Sequence, residues 1–390
     1  MNTSVIGEGA VRLRIPFPDD SSDLPPSSTT VFYNPEMELN RDITIAAVSG
    51  FIDRARVDPS SISYADVMSA SGIRGIRMAS EVGTKCRLND WNQDAYDLIQ
   101  ENIRLNALED TCTSSHQNAN TLMHQEVFDI VDLDPFGSPA PYLDSAARST
   151  QKLLCITATD TAPLCGAHLK SGIRKYAAVP LNTEYHREMG ARVLLGAAAR
   201  ALARRDKGIN VLLTHATRHY VRVYLEIIKG VSPADTTMEM MGFIYHCFHC
   251  GFRSWEHGLA PELPSQCPNC QKSLKSAGPL WLGSIQEPGF CEVILEELEI
   301  RKHGKCKEAM KIVAFCKDEL NIPTFYDQHW LCKKIRVSPG SIDTLIETLK
   351  DAGFMASRTH FSGTGFKTDA DVEQIYKILH ELDLQRKDHR

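Results

Sequence analysis

Apolar and polar positions along the chain change rhythm repeatedly, and each change marks an element. Tyr64-Ala65-Asp66-Val67-Met68 is an apolar run of strand length that breaks at the small residues Ser69-Ala70-Ser71-Gly72. A helical stretch follows to about Val82, and residues 85–88 predict the next strand, ending at Asn89-Asp90. Residues 92–108 set Ala95, Leu98, Ile99 and Ile103 at helical spacing. Residues 128–133 predict a strand ending at Asp134-Pro135-Phe136-Gly137, with a helix over 140–149. Residues 153–159, 209–213 and 221–228 predict three further strands. A long helix over 182–205 carries the stripe Met189, Val193, Leu194, Ala197 and Leu202. Strands alternating with helices imply an α/β fold, a mostly parallel sheet covered on both faces.

The rhythm changes near Met240. A Cys- and His-rich segment covers 247–270, and residues 288–318 and 341–353 predict helices. Residues 357–367 predict a hairpin or wing with Gly363 and Gly365 at its turn, and 370–382 a final helix. Residues 18–30, PDDSSDLPPSSTT, predict a polar, proline-rich loop. The expected organisation is a lead-in over 1–30, an α/β domain over 31–240, a metal-binding segment over 241–280 and an α+β C-terminal domain over 281–390.

A length of 390 residues agrees with more than one core. No apolar run approaches the ~18 residues of a membrane span, and residues 1–18 lack the pattern of a signal peptide. Cytoplasmic residence is the expectation, and no membrane partner. The net charge of −6 disfavours bulk attraction to nucleic acid. A local basic face would suffice for phosphate contacts, and residues 301–307 and 333–336 are candidates or plain solvated helix faces.

In a parallel sheet, ligands bind beyond the carboxyl ends of the strands. Three predicted strand ends carry informative residues. Ser69-Ala70-Ser71-Gly72 lets a ligand approach the backbone, and Arg74 can pair with a carboxylate. Asp90, about 20 residues on, can accept hydrogen bonds from two ribose hydroxyls, or cap the next helix. Loop and acid describe a nucleoside site without separating a dinucleotide from S-adenosylmethionine. The third end separates them. The amine of a nucleobase is a poor nucleophile, because its lone pair is delocalised into the ring. The Asp134 carboxylate and the Pro135 carbonyl can accept its two N–H hydrogens, and Phe136 can stack on the base. That is the arrangement for methylating an exocyclic amine.

Cys247-Phe-His-Cys250 and Cys267-Pro-Asn-Cys270 form two C-x2-C pairs separated by 16 residues. Four thiolates complete a closed tetrahedral zinc site, whose role is structural. Reduced pairs or redox disulfides are the alternatives.

Several long strings resemble one family, the tRNA (guanine(26)-N(2))-dimethyltransferases. They are Val31-Phe32-Tyr33-Asn34-Pro35-Glu36-Met37-Glu38-Leu39-Asn40-Arg41-Asp42, residues 69–77, residues 132–139, residues 158–166 and residues 185–192. The resemblance extends from about residue 6 to about 385. It implies a class I (Rossmann-like) methyltransferase domain, a family-specific C-terminal domain that binds tRNA, and one or two methyl transfers to guanine 26. It further implies cofactor contacts from Arg41, Arg74, Asp90, Asn118 and Ala119, with Phe32 and Phe136 around the base and Asp134 as the catalytic carboxylate. One departure is Asn118, where relatives often carry Asp; Asn can still bond the adenine edge. The competing classes are amino-methylation of adenine or cytosine, a dinucleotide-dependent oxidoreductase and a non-catalytic tRNA-binding protein. The lack of a three-glycine fingerprint and the intact Asp134-Pro135-Phe136-Gly137 speak against the last two.

Overall fold

The structure, a computed structural model, describes residues 3–16, 31–301 and 304–388. The loop expected over 18–30 and the basic pair Lys302-His303 lie outside the described residues. The strands are β1 (Thr3–Glu8), β2 (Val11–Pro16), β3 (Ser63–Asp66), β4 (Lys85–Asp90), β5 (Cys112–His116), β6 (Phe128–Leu133) and β7 (Thr150–Ala158). They continue with β8 (Lys207–Thr217), β9 (Tyr220–Lys229), β10 (Met241–His246), β11 (Arg253–His257), β12 (Lys275–Trp281), β13 (Tyr326–Asp327), β14 (Ala356–Thr359) and β15 (Ser362–Thr368). The helices are α1 (Glu38–Ala55), α2 (Ile73–Glu81), α3 (Gln93–Leu105), α4 (Ala119–Gln125), α5 (Leu143–Ser149), α6 (Thr161–Leu164) and α7 (Leu169–Tyr176). After them come α8 (His186–Ala203), α9 (Val231–Glu239), α10 (Pro288–Arg301), α11 (Cys306–Asp318), α12 (Gln328–Ile335), α13 (Ile342–Asp351) and α14 (Val372–Asp388).

Seven strands form one sheet in the order β5-β4-β3-β6-β7-β9-β8. The five from β5 to β7 are parallel. β8 and β9 are joined by Arg218-His219 alone, a hairpin link that adds an antiparallel element. β6 and β7 are buried along most of their length without alternation, which requires cover on both faces. The order reverses between β3 and β6, so the ligand crevice lies beyond their carboxyl ends.

By contacts the chain divides into two compact units. One holds Met1–Ala158, Tyr224–Ile228 and Gly289–Ala314; the other holds Thr159–Val223, Lys229–Pro288 and Phe315–Arg390. In the first, α1 is buried through Leu39–Val48, polar residues included, so it shows no amphipathic stripe. α10 packs closely on α1: a Cβ at Gly50 would sit 2.5 Å from Val293 Cγ1. The hairpin β1–β2, unassigned in the sequence, is tied to α3 by Asn102, which bonds both the Arg14 backbone and the Ser71 carbonyl.

The second unit contains two small sheets, β11-β10-β12 and β13-β15-β14. The hairpin expected over 357–367 is β14–β15, but its turn is His360-Phe361 rather than the glycines. Gly363 and Gly365 lie inside β15, where a Cβ at Gly365 would meet Thr359 Cγ2 at 2.6 Å and Phe325 Cδ2 at 2.9 Å. Close packing, not turn geometry, selects glycine at 365.

A fully buried polar cluster holds this unit. Lys367 Nζ lies 3.0 Å from both Glu188 and Glu319 and donates to the Ile322 carbonyl at 2.9 Å. Glu188 also receives Arg192 Nε at 2.8 Å, while Glu319 Oε2 lies 2.6 Å from His360 Nδ1. Burial alone would raise the Glu319 carboxyl, but Lys367 and His360 outweigh it and hold the group well below its ordinary 4.5.

The four predicted cysteines come together at one end of the β11-β10-β12 sheet. Their sulfurs all lie within 4.8 Å of one another, with Cys247–Cys270 and Cys250–Cys267 at 3.5 Å. Tetrahedral zinc with Zn–S of ~2.3 Å places its sulfurs about 3.8 Å apart, so the ion fits. The two pairs repeat one turn: Gly251 N–H bonds the Cys247 carbonyl and Gln271 N–H bonds the Cys267 carbonyl, each at 2.9 Å. Both Gly251 and Gln271 adopt positive φ, at 81° and 58°. With four thiolates no ligand position remains for water, which makes the site structural.

Two outcomes follow from this packing. Glu319→Gln leaves the buried Lys367 and Arg192 to share the single Glu188 carboxylate and lowers stability at pH 7 by about 3–5 kcal/mol. The wild-type advantage is present above pH 4.5 and lost as pH falls below it, because only the wild type must then take up a proton. Urea unfolding at pH 7 and pH 3 reads this, and an equal deficit at both would refute it. For the cysteines, elemental analysis should find one zinc per chain, absent in a Cys250→Ser/Cys267→Ser double variant, which melts earlier. Stoichiometric zinc in that variant would disprove the four-sulfur site.

Candidate functional site

The crevice is built from three strand ends. After β3 the chain turns through Ser69–Gly72, with Ala70 at φ 48° and Gly72 at φ 81°. A side chain at Gly72 would be strained by that φ and would press on Ile76 and Leu88 at 3.2 Å, so the glycine serves the turn and the packing beneath it. Asp90 closes β4 and braces the turn: Oδ2 accepts the Ala70 N–H and Oδ1 the Asn92 N–H, both at 2.9 Å. The cap of α3 is Asn92, which accepts from Asp94 and Ala95, so Asp90 is not the helix cap. Each Asp90 oxygen keeps a second lone pair for a ribose hydroxyl.

Asp134 follows β6, half-buried, and one oxygen is ion-paired with Arg74 Nη2. Arg74 projects from α2, is 5% exposed, and is fixed from behind by Asn40 Oδ1 at 2.9 Å and Thr44 Oγ1 at 3.0 Å. Its Nε lies 3.7 Å from Asp132. Asp132 and Asp134 stand two apart and share a face, as strand geometry demands. Tyr64 donates to Asp132 at 2.9 Å. Next to it in register is Asp66, whose carboxyl is pushed up to about 7, first by burial and then by the Asp132 charge. Among the described residues no hydrogen bond engages the second Asp134 oxygen, Oδ1.

Pro135 is buried, while Phe136 is 66% exposed. Its ring meets Phe32 edge to face with centroids 4.3 Å apart. A base stacked between two rings needs about 7 Å, two contacts of ~3.5 Å. Here the rings close on each other, and a base enters by parting them. Gly137, at φ 84°, follows Phe136 with open space around it.

The other expected cofactor residues are placed differently. Arg41 is buried and held by Glu8 through Nε at 2.6 Å and Nη2 at 2.5 Å, with the Asn34 carbonyl at 3.2 Å. Burial raises the Glu8 carboxyl, but the bonds and charges of Arg41 and Arg77 outweigh it and hold it low. Arg77 extends the cluster to Asp42 at 2.8 Å and Glu81 at 2.7 Å. Asn118 is the exposed cap of α4, accepting from Asn120 N–H at 2.9 Å, and Ala119 is buried at the first helical position. Glu8, Asn40, Thr44 and Asp132 complete the site without having been singled out in the sequence. A charged residue inside the apolar run 128–133 was the available signal for Asp132.

The description "N2,N2-dimethylguanosine tRNA methyltransferase" matches residues 9–380. A curated tRNA (guanine(26)-N(2))-dimethyltransferase of Methanosarcina acetivorans is 55% identical over 381 residues, 97% of this chain and 98% of that protein. One of Haloarcula marismortui is 45% identical over 370 residues, 95% and 98% of the two chains. Among solved structures, Trm1 from Pyrococcus horikoshii in complex with S-adenosyl-L-methionine aligns with a TM-score of 0.85 and 34% identity, covering 96% of this chain and 99% of that one. Strand ends, aromatic pair, cysteine cluster and whole-length likeness agree, and the chain belongs to the N2,N2-dimethylguanosine tRNA methyltransferase family.

Proposed function

We propose that this protein transfers one or two methyl groups from S-adenosylmethionine to the exocyclic N2 amine of guanine at position 26 of tRNA. The observation that carries the reading is Asp134-Pro135-Phe136 standing at the switch point of the sheet, with Arg74 behind it and Phe32 beside it. S-adenosylmethionine supplies the electrophilic methyl group when bound. The Ser69–Gly72 turn, Asp90 and the start of α4 at Asn118-Ala119 fit its nucleoside, and Arg74, in the first turn of α2 beside that turn, is the cation assigned to its carboxylate. Arg41 acts from further back, since Glu8 already neutralises it.

Arg74 pairs with one Asp134 oxygen and fixes the carboxylate in place, leaving the other oxygen to the substrate. Asp134 Oδ1 accepts one N2 hydrogen and the Pro135 carbonyl accepts the other. This holds the nitrogen with its lone pair directed at the methyl group, and Asp134 is the nearest acceptor for the proton released. Phe32 and Phe136 separate and stack on the two faces of the guanine, at about 1–3 kcal/mol per stacked face. Residues 31–240 carry this chemistry, 241–280 form the zinc segment, and 281–390 hold the tRNA. Lys333 and Lys334, in the last turn of α12, are the basic side chains placed for phosphate there. No described helix is long and apolar enough to cross a membrane.

Unmodified tRNA transcript, incubated with the protein and S-adenosylmethionine, should yield methylated N2-guanosine by nucleoside mass spectrometry. The product should vanish when guanine 26 is replaced; product persisting after that change would redirect the target. Asp134→Ala should lower turnover by at least about a hundredfold while tRNA affinity stays within a few fold. Near wild-type turnover in that variant would remove Asp134 from the chemistry. Phe136→Ala should weaken base capture and leave S-adenosylhomocysteine affinity unchanged, and titrations with and without tRNA separate the two.

A further inference from the structure

Two stretches singled out in the sequence, residues 158–166 and 185–192, take no part in the site above. In the second unit they meet around a cavity of about 290 Å³. Arg187, Arg218, His186, His219, Asn182 and Thr161 line it, over a floor that includes Cys165 and Ala216. Among the described residues no aspartate or glutamate lines the cavity. Of the described acids adjoining these stretches, Asp160 is engaged by Tyr176 Oη at 2.6 Å and Lys175 at 2.9 Å, Glu184 by Arg253, and Glu188 by Lys367. The two guanidiniums, two imidazoles, amide and hydroxyl of the described lining form a receptor for an anion with several acceptor oxygens.

The wall behind this cavity is fixed. Arg187 Nη1 donates to the Phe361 carbonyl at 3.3 Å. The adjacent His360 accepts the Ala216 N–H on Nε2 at 3.4 Å, which puts its ring proton on Nδ1, facing Glu319 at 2.6 Å. The buried Lys367–Glu319 pair therefore anchors the β14–β15 turn that orients Arg187 and supports the cavity floor. The thiol of Cys165 is raised to about 11 by burial and stays neutral, so it adds packing and no negative charge.

Given the reading of the protein as a tRNA methyltransferase, on which this rests, we infer that the cavity is a subsite for a backbone phosphodiester of the tRNA, gripped by Arg187 and Arg218. A bidentate guanidinium matches phosphate oxygens, and Asn182 and Thr161 supply neutral donors beside it. Sequence is not read here; the contact sets the register of the strand.

The test measures tRNA affinity of the full chain against salt concentration for wild type, Arg187→Gln, Arg218→Gln and the double variant. Both arginines are exposed, and zinc content with melting temperature checks that each variant folds. Each lost phosphate contact should flatten the slope of log affinity against log salt by about 0.7–0.9, and the double variant should bind roughly tenfold more weakly at low salt. S-adenosylhomocysteine affinity should not move. An unchanged slope in the double variant overturns the inference. So does loss of binding to inorganic phosphate, read by thermal shift, with tRNA affinity intact, since the cavity would then serve a free anion. Failure of the function itself is read separately, as absence of methylated guanosine with the wild-type protein.

Discussion

Arg74 and Arg77 stand one turn apart on α2, at 5% and 0% exposure, and a buried guanidinium must be neutralised where it stands. That requirement organises the crevice. Arg77 draws together Glu8 from the N-terminal hairpin, Asp42 from α1 and Glu81 from its own helix. Arg74 draws in Asn40, Thr44, Asp132 and Asp134. Asp134 is thus one member of a cluster whose other members fix its position. Glu8 links Arg77 to Arg41, so the hairpin, although distant from the crevice in sequence, belongs to its foundation.

This arrangement explains what the sequence disclosed. The strand ends were legible because a parallel sheet buries its strands as apolar runs, and a run that stops at Asp90 or Asp134 marks the carboxyl edge. The cysteine pairs were legible because their spacing is set by the ion. The charge partners were not. Arg41, which the family resemblance assigns to the cofactor, is held by Glu8, 33 positions earlier. No local pattern reports such a pairing. α1 was silent for a related reason: with Asn40, Arg41, Asp42 and Thr44 buried beside its apolar residues, polarity no longer distinguishes inside from outside. At the β14–β15 turn the glycines misled, because glycine marks close approach as readily as a turn.

The second unit solves the same problem with a lysine in place of the arginines. Lys367 is the buried cation between Glu188 and Glu319; Arg192 shares Glu188 Oε1 with it, and His360 takes the second Glu319 oxygen. The consequence is again mechanical. A turn without regular structure, His360-Phe361, is held by hydrogen bonds from His360 to the buried Glu319 carboxylate.

The first unit is assembled from three separate lengths of chain, the last of them Gly289–Ala314. Roughly 130 residues, 159 to 288, lie between its first and last pieces. Synthesis proceeds from the N-terminus, so α1 and Glu81 emerge long before α10 brings Val293 to Gly50 and Arg301 to Glu81. The nascent first unit therefore waits, with the Gly50 side of α1 uncovered, until most of the protein has left the ribosome. No single cleavage point releases that half intact, and chaperone demand during translation is built into the order of its segments.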